Sequence, residues 1–493
     1  MKYVSTRDNH EAVESAWAIQ RGMVPMGGLF VPEAIPAFSV TESIVTYGEL
    51  ASKILGLFLT DFSKNELDEF VSKAYTKEKF NDERVAPVVK IGEGTHVLEL
   101  WHGPTAAFKD VALQILPFLL TGSVVKNGSK DEIIILVATS GDTGKAALEG
   151  FKDVPGTKVI VFYPKNGVSH IQEKQMLTTT GKNTFVVGVN GNFDDCQAMV
   201  KEIFADKDFG IELSKHNKEL SSANSINWGR LVPQIVYYYW AYYRLLAEGS
   251  IQSGEPVNFA VPTGNFGDIL AGYYAMKMGL PVKKLICASN KNKILTDFFK
   301  TGVYDLHRDF HKTSSPSMDI LVSSNLERFL FEMTNRDGKE IASLYAELEK
   351  SGKFEVSAEV LERMSSILVA GYAEEMDVRE EIRDVFNKDQ YLMDTHTAVA
   401  SHVTRSLSES GAISGETVIL STASAYKFSQ SVFNALAGEG RADDEYALLE
   451  ALQQMTGITV HRSLKGLENL QVRDEIFIER NESRDIIRKI LDI

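Results

Sequence analysis

The chain has 493 residues, 44% of them apolar, with 52 basic against 67 acidic side chains and a formal charge of −15. That length exceeds what one hydrophobic core serves, so two or three packed units are expected. The acidic balance repels phosphate backbones and anionic lipid surfaces and argues against nucleic-acid and membrane partners, so any phosphate ligand must be met by donors concentrated in a local pocket.

Met1–Ala12 has no apolar core of signal-peptide length. From there to about Val85 the pattern is charged and helical, which predicts a mostly helical N-terminal domain over residues 1–86. Residues 87–440 are expected to form the main core of two α/β lobes. Four short runs carry its architecture: Ile133–Ala138, Lys158–Phe162, Val257–Val261 and Thr417–Leu420 are strand-length, rich in Ile and Val, and soon followed by Gly, Pro, Ser or Thr. Helix-length segments lie between them, including Lys145–Phe151, Phe193–Ala205 and Asp268–Met278. Strands alternating with helices predict an α/β fold with parallel sheet and right-handed crossovers. Ligands of such sheets bind beyond the carboxyl ends of the strands.

The most apolar later stretch, Leu231–Ala247, is broken by Pro233, Gln234 and Arg244 and does not read as a membrane span. A helical insertion is expected around 300–389. Residues 441–493 read as a helical tail ending in an amphipathic surface helix, Asn481–Ile493. Cys196 and Cys287 are the only cysteines and form no CxxC pair, which predicts buried, reduced thiols and a cytoplasmic location. The ten histidines form no HExxH or paired ligand spacing, so no metal is expected.

Two strand ends open into glycine loops followed by helices, Thr139–Gly144 (TSGDTG) and Thr263–Asp268 (TGNFGD). Glycine lets the backbone approach an anion, and free N–H groups at the next helix start point at it. Either loop alone reads equally as an ordinary turn. Together they suggest two anionic groups, and neither fits GxxxxGK[ST] or GxGxxG, which disfavours a nucleotide triphosphate. Pyridoxal phosphate with an amino-acid substrate fits two short cradles. The lysine such a cofactor needs has one candidate, Lys109, among small and apolar residues in His102–Asp110 (HGPTAAFKD). Burial lowers a lysine's pKa and frees its amine to attack an aldehyde. Read on that fragment alone, a lysine snorkelling from a helix end or paired with Asp110 is the stronger reading.

The motifs His102–Asp110, Thr139–Gly144, Ser221–Pro233 (SSANSINWGRLVP), Pro262–Asp268 (PTGNFGD) and Ser421–Phe428 (STASAYKF) stand in the order and approximate spacing of the threonine synthase family. Tyr3–Arg7 and Gly27–Pro32 resemble that family's opening, and the resemblance, closest to the longer form, covers nearly the whole chain. It implies a two-lobed, tryptophan synthase β-like fold (PLP fold type II) with an additional N-terminal domain. The implied activity is that of a carbon–oxygen lyase at the last step of threonine biosynthesis. It turns O-phospho-L-homoserine and water into L-threonine and inorganic phosphate by β,γ-elimination and hydration, as a monomer or homodimer. By match to the motifs, Lys109 would be the Schiff-base lysine and the mobile acid and base. Gly264, Asn265, Phe266, Gly267 and Asp268 would cradle the cofactor phosphate, and Thr422 would meet the pyridine nitrogen, which a neutral hydroxyl does not hold protonated.

The loop of Thr139, Ser140, Asp142 and Thr143 would bind the substrate's α-carboxylate, and Asn227 and Arg230 its departing phosphate, Arg through its planar fork of donors. Arg230 reads alternatively as a surface ion pair, and the aromatic run Tyr237–Tyr243 as packing. Two positions depart from the pattern. Asp142 stands where much of the wider fold class has an asparagine touching the cofactor's phenolic oxygen. Ser424-Ala425 stand where many threonine synthases have His-Pro. Rival readings are an amino-acid dehydratase, a phospholyase releasing 2-oxobutanoate, and a non-catalytic family member. The intact lysine and phosphate loop argue against the last, and the full SSANSINWGR and STASAYKF matches against a dehydratase.

Overall fold

In the computed structural model, which describes residues 1–40, 44–165, 167–438 and 444–493, each of the four apolar runs is a strand. Glu132–Ala138, Thr157–Pro164, Val257–Pro262 and Thr417–Ser421 are buried along almost their whole length, as suits β-branched runs covered on both faces. They divide between two sheets. A five-stranded parallel sheet runs in the order Ile476–Ile478, Thr184–Val189, Thr157–Pro164, Glu132–Ala138, Lys218–Ser222. A six-stranded sheet runs Leu368–Tyr372, Val282–Ser289, Val257–Pro262, Thr417–Ser421, Thr95–Glu99, Val88–Lys90, parallel except for its last pair. Each sheet is the centre of one lobe. The expected helices are present as Asp142–Gly150, Phe193–Ala205 and Gly267–Lys277. The first and last of these follow central strands directly, so each lobe presents one glycine loop at the carboxyl end of its sheet.

In three places the structure adds short strands to segments expected to be mainly helical. The N-terminal unit is not only helical: Lys2–Ser5 pairs antiparallel with Val13–Glu14 and with Phe30–Pro32. These strands are two to four residues long and owe their pairing to what covers them, since β preference is mostly context. The segment around 300–389 does contain the helices Leu326–Met333, Gly338–Ser351, Ala358–Ile367 and Glu375–Asp389. It also contributes the edge strand Leu368–Tyr372 and an antiparallel pair, Val303–Asp305 with Lys353–Glu355. It is therefore woven into its lobe. The tail ends in the helix Ser483–Leu491, as expected, but also supplies Ile476–Ile478 as the edge strand of the five-stranded sheet. The boundary placed at residue 440 lies outside the described residues.

The helix Trp228–Ala247 is the post between the units. Its aromatic run is packing: Tyr237, Tyr238, Tyr239 and Tyr242 have no exposed surface. Trp228 meets Tyr3 with ring centroids 5.5 Å apart, Tyr239 donates to Phe38 O at 3.2 Å, and Trp240 donates to Ala86 O at 2.8 Å. The N-terminal unit thus shares its apolar core with the catalytic lobes. Among the described residues no helix is long and apolar enough to cross a membrane. Cys196 and Cys287 are both buried free thiols.

Candidate active site

Lys109 opens the short helix Lys109–Leu113 at the end of a loop stitched to the exit of the neighbouring strand. Leu100 N–H donates to Ser421 O at 3.0 Å, Phe108 N–H to Thr422 O at 2.8 Å, and Ser424 N–H to Ala106 O at 3.1 Å, while Ala107 bridges Ala423. Asp110 locks the loop from inside, accepting from Thr105 N–H at 2.8 Å and Thr105 Oγ at 2.7 Å. Gly103 is required here, because a Cβ on it would fall 2.4 Å from that of Asp110. Ala106 takes φ +59°, a left-handed backbone that a non-glycine residue adopts at a cost.

The loop delivers Lys109 into the cleft with 8% exposure. Its Nζ lies 3.4 Å from Asp142 Oδ2 and 3.5 Å from Ser317 Oγ. Burial lowers the Lys109 pKa, and the charges of Lys427 and Arg230 lower it further, against the pull of Asp142. That burial excludes snorkelling, and pairing with Asp110 is excluded because Asp110 faces Thr105. Asp142 is the hub of the cluster. Lys427, with no exposed side-chain surface, places Nζ 2.6 Å from Asp142 Oδ1 and donates to Thr105 O at 3.0 Å. Gln172 donates to Asp142 Oδ1 at 3.0 Å and Ser317 Oγ to Oδ2 at 3.3 Å. Burial pushes the Asp142 carboxyl up, but the charges of Lys427 and Lys109 outweigh it and hold the group well below the ordinary carboxylate range.

Across the cleft, the loop after Val257–Pro262 spends none of the N–H groups of Gly264, Asn265, Phe266 or Gly267 on a partner among the described residues. Its carbonyls are held instead: Ser323 Oγ donates to Gly264 O at 2.8 Å and Asn325 N–H to Asn265 O at 3.0 Å. Phe266 takes φ +63°, so the cradle, like the lysine loop, holds a strained non-glycine residue. Four free N–H groups ending at a helix start form an anion site. The Asp268 side chain turns away from it, accepting from Tyr237 at 2.5 Å and Tyr238 at 3.1 Å. Burial pushes its carboxyl up to about 6, against those hydrogen bonds.

In the other loop, Thr139 Oγ accepts from Gly141 N–H at 2.9 Å and Gly144 N–H at 2.8 Å, so this hydroxyl shapes the loop. Among the described residues, the hydroxyls of Ser140 and Thr143 and the N–H groups of Ser140, Asp142 and Thr143 have no partner. The same holds for the hydroxyl of Thr422, on a residue only 6% exposed.

The substrate-phosphate candidates divide. Arg230 is buried, not a surface residue. It donates to Ala223 O at 2.8 Å, keeps an unpartnered Nε, lowers the Lys109 pKa by its charge and itself feels the charge of Asp110. Asn227 is corrected to a scaffold residue: with no exposed surface, its amide donates to Ile19 O and Ser222 O at 2.9 Å each and accepts from Gly229 N–H. That cap fixes the start of the long helix and leaves no donor for a ligand. Ser317, Gln172, Lys427 and His396 complete the cluster without having been named as site residues. Among them only Lys427 lay inside a recognised motif, and the others come from segments with no local signal. Among the described residues no group of three or more His, Cys, Asp and Glu could hold a metal ion.

Comparison with known proteins gives consistent results along the chain. The family model described as threonine synthase N terminus matches residues 2–75, and that described as pyridoxal-phosphate dependent enzyme matches residues 90–424. Threonine synthase-like 1 of Pongo abelii is 40% identical over 452 residues, 88% of this chain, and the chain spans 60% of that relative's length. Threonine synthase of Saccharomyces cerevisiae is 36% identical over 503 residues, 95% of this chain and 96% of that one. Among solved structures, PLP-bound threonine synthase from Brucella melitensis superposes with a TM-score of 0.87 at 35% identity, over 99% of each chain.

Proposed function

Because the chain belongs to the threonine synthase family of pyridoxal-phosphate dependent enzymes, we propose that it carries pyridoxal phosphate on Lys109 and converts O-phospho-L-homoserine and water into L-threonine and inorganic phosphate. The observation that carries this reading is the buried, pKa-lowered amine of Lys109 facing a cradle of four unspent N–H groups. The residues fit the cofactor: an amine able to react with an aldehyde, an anion cradle for its phosphate, and a free hydroxyl at Thr422 for its ring nitrogen. When bound, the cofactor supplies the electron sink that lets protons leave the substrate's α- and β-carbons, phosphate depart from Cγ and water add at Cβ.

The chain's own residues do the rest. Gly264, Asn265, Phe266, Gly267 and Asp268 bind the phosphate through backbone N–H groups, while the Asp268 carboxyl stays turned towards Tyr237 and Tyr238. Thr422 would hold the ring nitrogen through a neutral hydroxyl, without imposing a charge on it. Lys109 holds and moves protons at Nζ, and Asp142 with Ser317 keeps that atom oriented within reach. Ser140, Thr143 and the N–H groups of their loop bind the substrate's α-carboxylate. Arg230, charged and with Nε unpartnered, serves the departing phosphate. The two buried thiols suit the reducing cytoplasm, where we place the protein.

The test is to supply O-phospho-L-homoserine to the cofactor-loaded protein and assay products. Threonine and phosphate in equal amounts support the reading. Phosphate with 2-oxobutanoate would make the protein a phospholyase, and neither product from protein that binds the cofactor would make it a non-catalytic member. In Lys109→Ala, turnover is expected to fall by about 10³-fold or more, together with loss of the bound cofactor's visible absorbance.

A further inference from the structure

The turn Ser315–Asp319 lies over both halves of the site. The carbonyl oxygen of Ser317 would be 2.7 Å from a Cβ on Gly264, so the turn packs directly on the phosphate cradle. Its hydroxyl stands between Lys109 Nζ and Asp142 Oδ2. Asn290 holds the two ends of the turn, donating to Ser315 O at 3.3 Å and to Asp319 Oδ1 at 2.8 Å, while its middle, Ser317, is held by the start of the helix Thr395–Glu409. Ser317 N–H donates to Nε2 of His396 at 3.2 Å, and Nδ1 of His396 lies 2.9 Å from Asp394 Oδ1. An N–H can be donated only to an unprotonated ring nitrogen, so the proton sits on Nδ1, where Asp394 accepts it. Asp394 is itself fixed by His396 N–H at 2.9 Å and by the Thr397 hydroxyl. Next to it, Thr395 Oγ donates to Ser314 O at 2.8 Å. His396 is 3% exposed and Asp394 not at all, and the imidazole packs against Phe428 with centroids 4.7 Å apart.

Resting on the reading of this cleft as a pyridoxal-phosphate site, we infer that His396, oriented by Asp394, is a positioning residue. It sets the Ser317 turn against Lys109 and the phosphate cradle. Without an acceptor at Nε2 the half-buried Ser317 N–H would lose its partner against the buried imidazole, and the middle of the turn would move towards water to satisfy it. The Ser317 hydroxyl would then leave Lys109, and the cradle would lose its wall.

Two substitutions separate this role from simple packing. In His396→Gln the amide oxygen reaches the position of Nε2 and can accept from Ser317. In His396→Asn the amide matches Nδ1, keeps Asp394 and falls short of Ser317. In cofactor-free protein, amide hydrogen exchange at Ser317 should stay close to wild type in His396→Gln and become about ten-fold faster in His396→Asn. The Kd for pyridoxal phosphate should rise by about ten-fold in His396→Asn and stay within about three-fold in His396→Gln. Equal values in the two variants, or Asn closer than Gln to wild type, would overturn the inference. Should neither variant fold, ¹⁵N shifts of the wild-type imidazole decide: a proton on Nε2 instead of Nδ1 overturns it. Wild-type protein that failed to bind pyridoxal phosphate would instead defeat the reading of the site, and Ser317 exchange would still test the clasp.

Discussion

The amine of Lys427, wholly buried, stands 2.6 Å from the carboxylate of Asp142, nearer than the amine of Lys109 at 3.4 Å. Asp142 thus balances two lysines, and Lys427 both neutralises it and lowers the pKa of Lys109. In Lys427→Gln the carboxylate loses the nearer of its two lysines and Lys109 loses a positive neighbour, so the Lys109 pKa should rise. The pH at which the protein acquires the visible absorbance of bound cofactor should shift upward from wild type. In Asp142→Asn, Lys427 loses its counter-charge and keeps only neutral acceptors, an amide oxygen and Thr105 O. Unfolding by denaturant should show a loss of about 3 kcal/mol, as for a buried ion pair stripped of one partner.

Gly264→Ala should weaken cofactor binding more than it weakens the fold. The added Cβ would sit 2.7 Å from the Ser317 carbonyl oxygen, which is backbone and not a flexible tip. Relief must come from shifting the cradle or the turn, so titration with pyridoxal phosphate should show a Kd raised about ten-fold. Loss of stability should be about 1–2 kcal/mol.

Arg328 should tie the N-terminal unit to the phosphate cradle. Its buried guanidinium donates to Phe30 O, Ser225 O, Ile226 O and Asn325 Oδ1, and Asn325 holds Asn265 of the cradle. Arg328→Met leaves four acceptors without their donor and should cost about 3 kcal/mol or more. Limited proteolysis should then cut within residues 2–75 sooner, and cofactor affinity should fall with it. Arg328→Lys should rescue little, because a single ammonium cannot span the same acceptors.

Asp268 gives a pH dependence with a definite sign. Burial raises its folded value from 3.8 to about 6, so the folded chain keeps a proton that the unfolded chain releases across that window. The group favours folding most below about 4, and the advantage is lost as pH rises through about 6. In cofactor-free Asp268→Asn this dependence disappears. Its stability relative to wild type should improve by on the order of 2–3 kcal/mol between pH 4 and 7. A flat difference would show that Asp268 does not titrate there.

What the sequence made legible was what is local. Runs of Ile and Val announced the central strands, and the glycine loops after Ala138 and Pro262 announced where anions could lie, because both signals sit within a few consecutive residues. Lys109 became identifiable through its family motif, since its burial depends on Asp142 and Ser317, 33 and 208 residues away. Ser317 and His396 carry no local mark; they matter because the fold brings a turn and a helix start together. The strands Lys2–Ser5 and Ile476–Ile478 were missed for the same reason, their pairing being a gift of neighbours. Asn227 was misjudged because a polar residue beside a helix start reads alike whether it caps the helix or binds a ligand.

The lysine loop and the exit of Thr417–Ser421 join as neighbours, and their bonded pair Trp101 and Ser421 are separated by 320 residues. On the ribosome the reactive amine therefore emerges long before the wall that completes its surroundings. So non-local a closure is slow to form. With the cofactor on Lys109 as proposed, its finished setting would exist only once synthesis has passed the second of these segments, and stable uptake is expected to wait until then. Bound colour is in that sense a certificate of completed translation and closure, and a chain stalled earlier would remain pale however well its first lobe had folded.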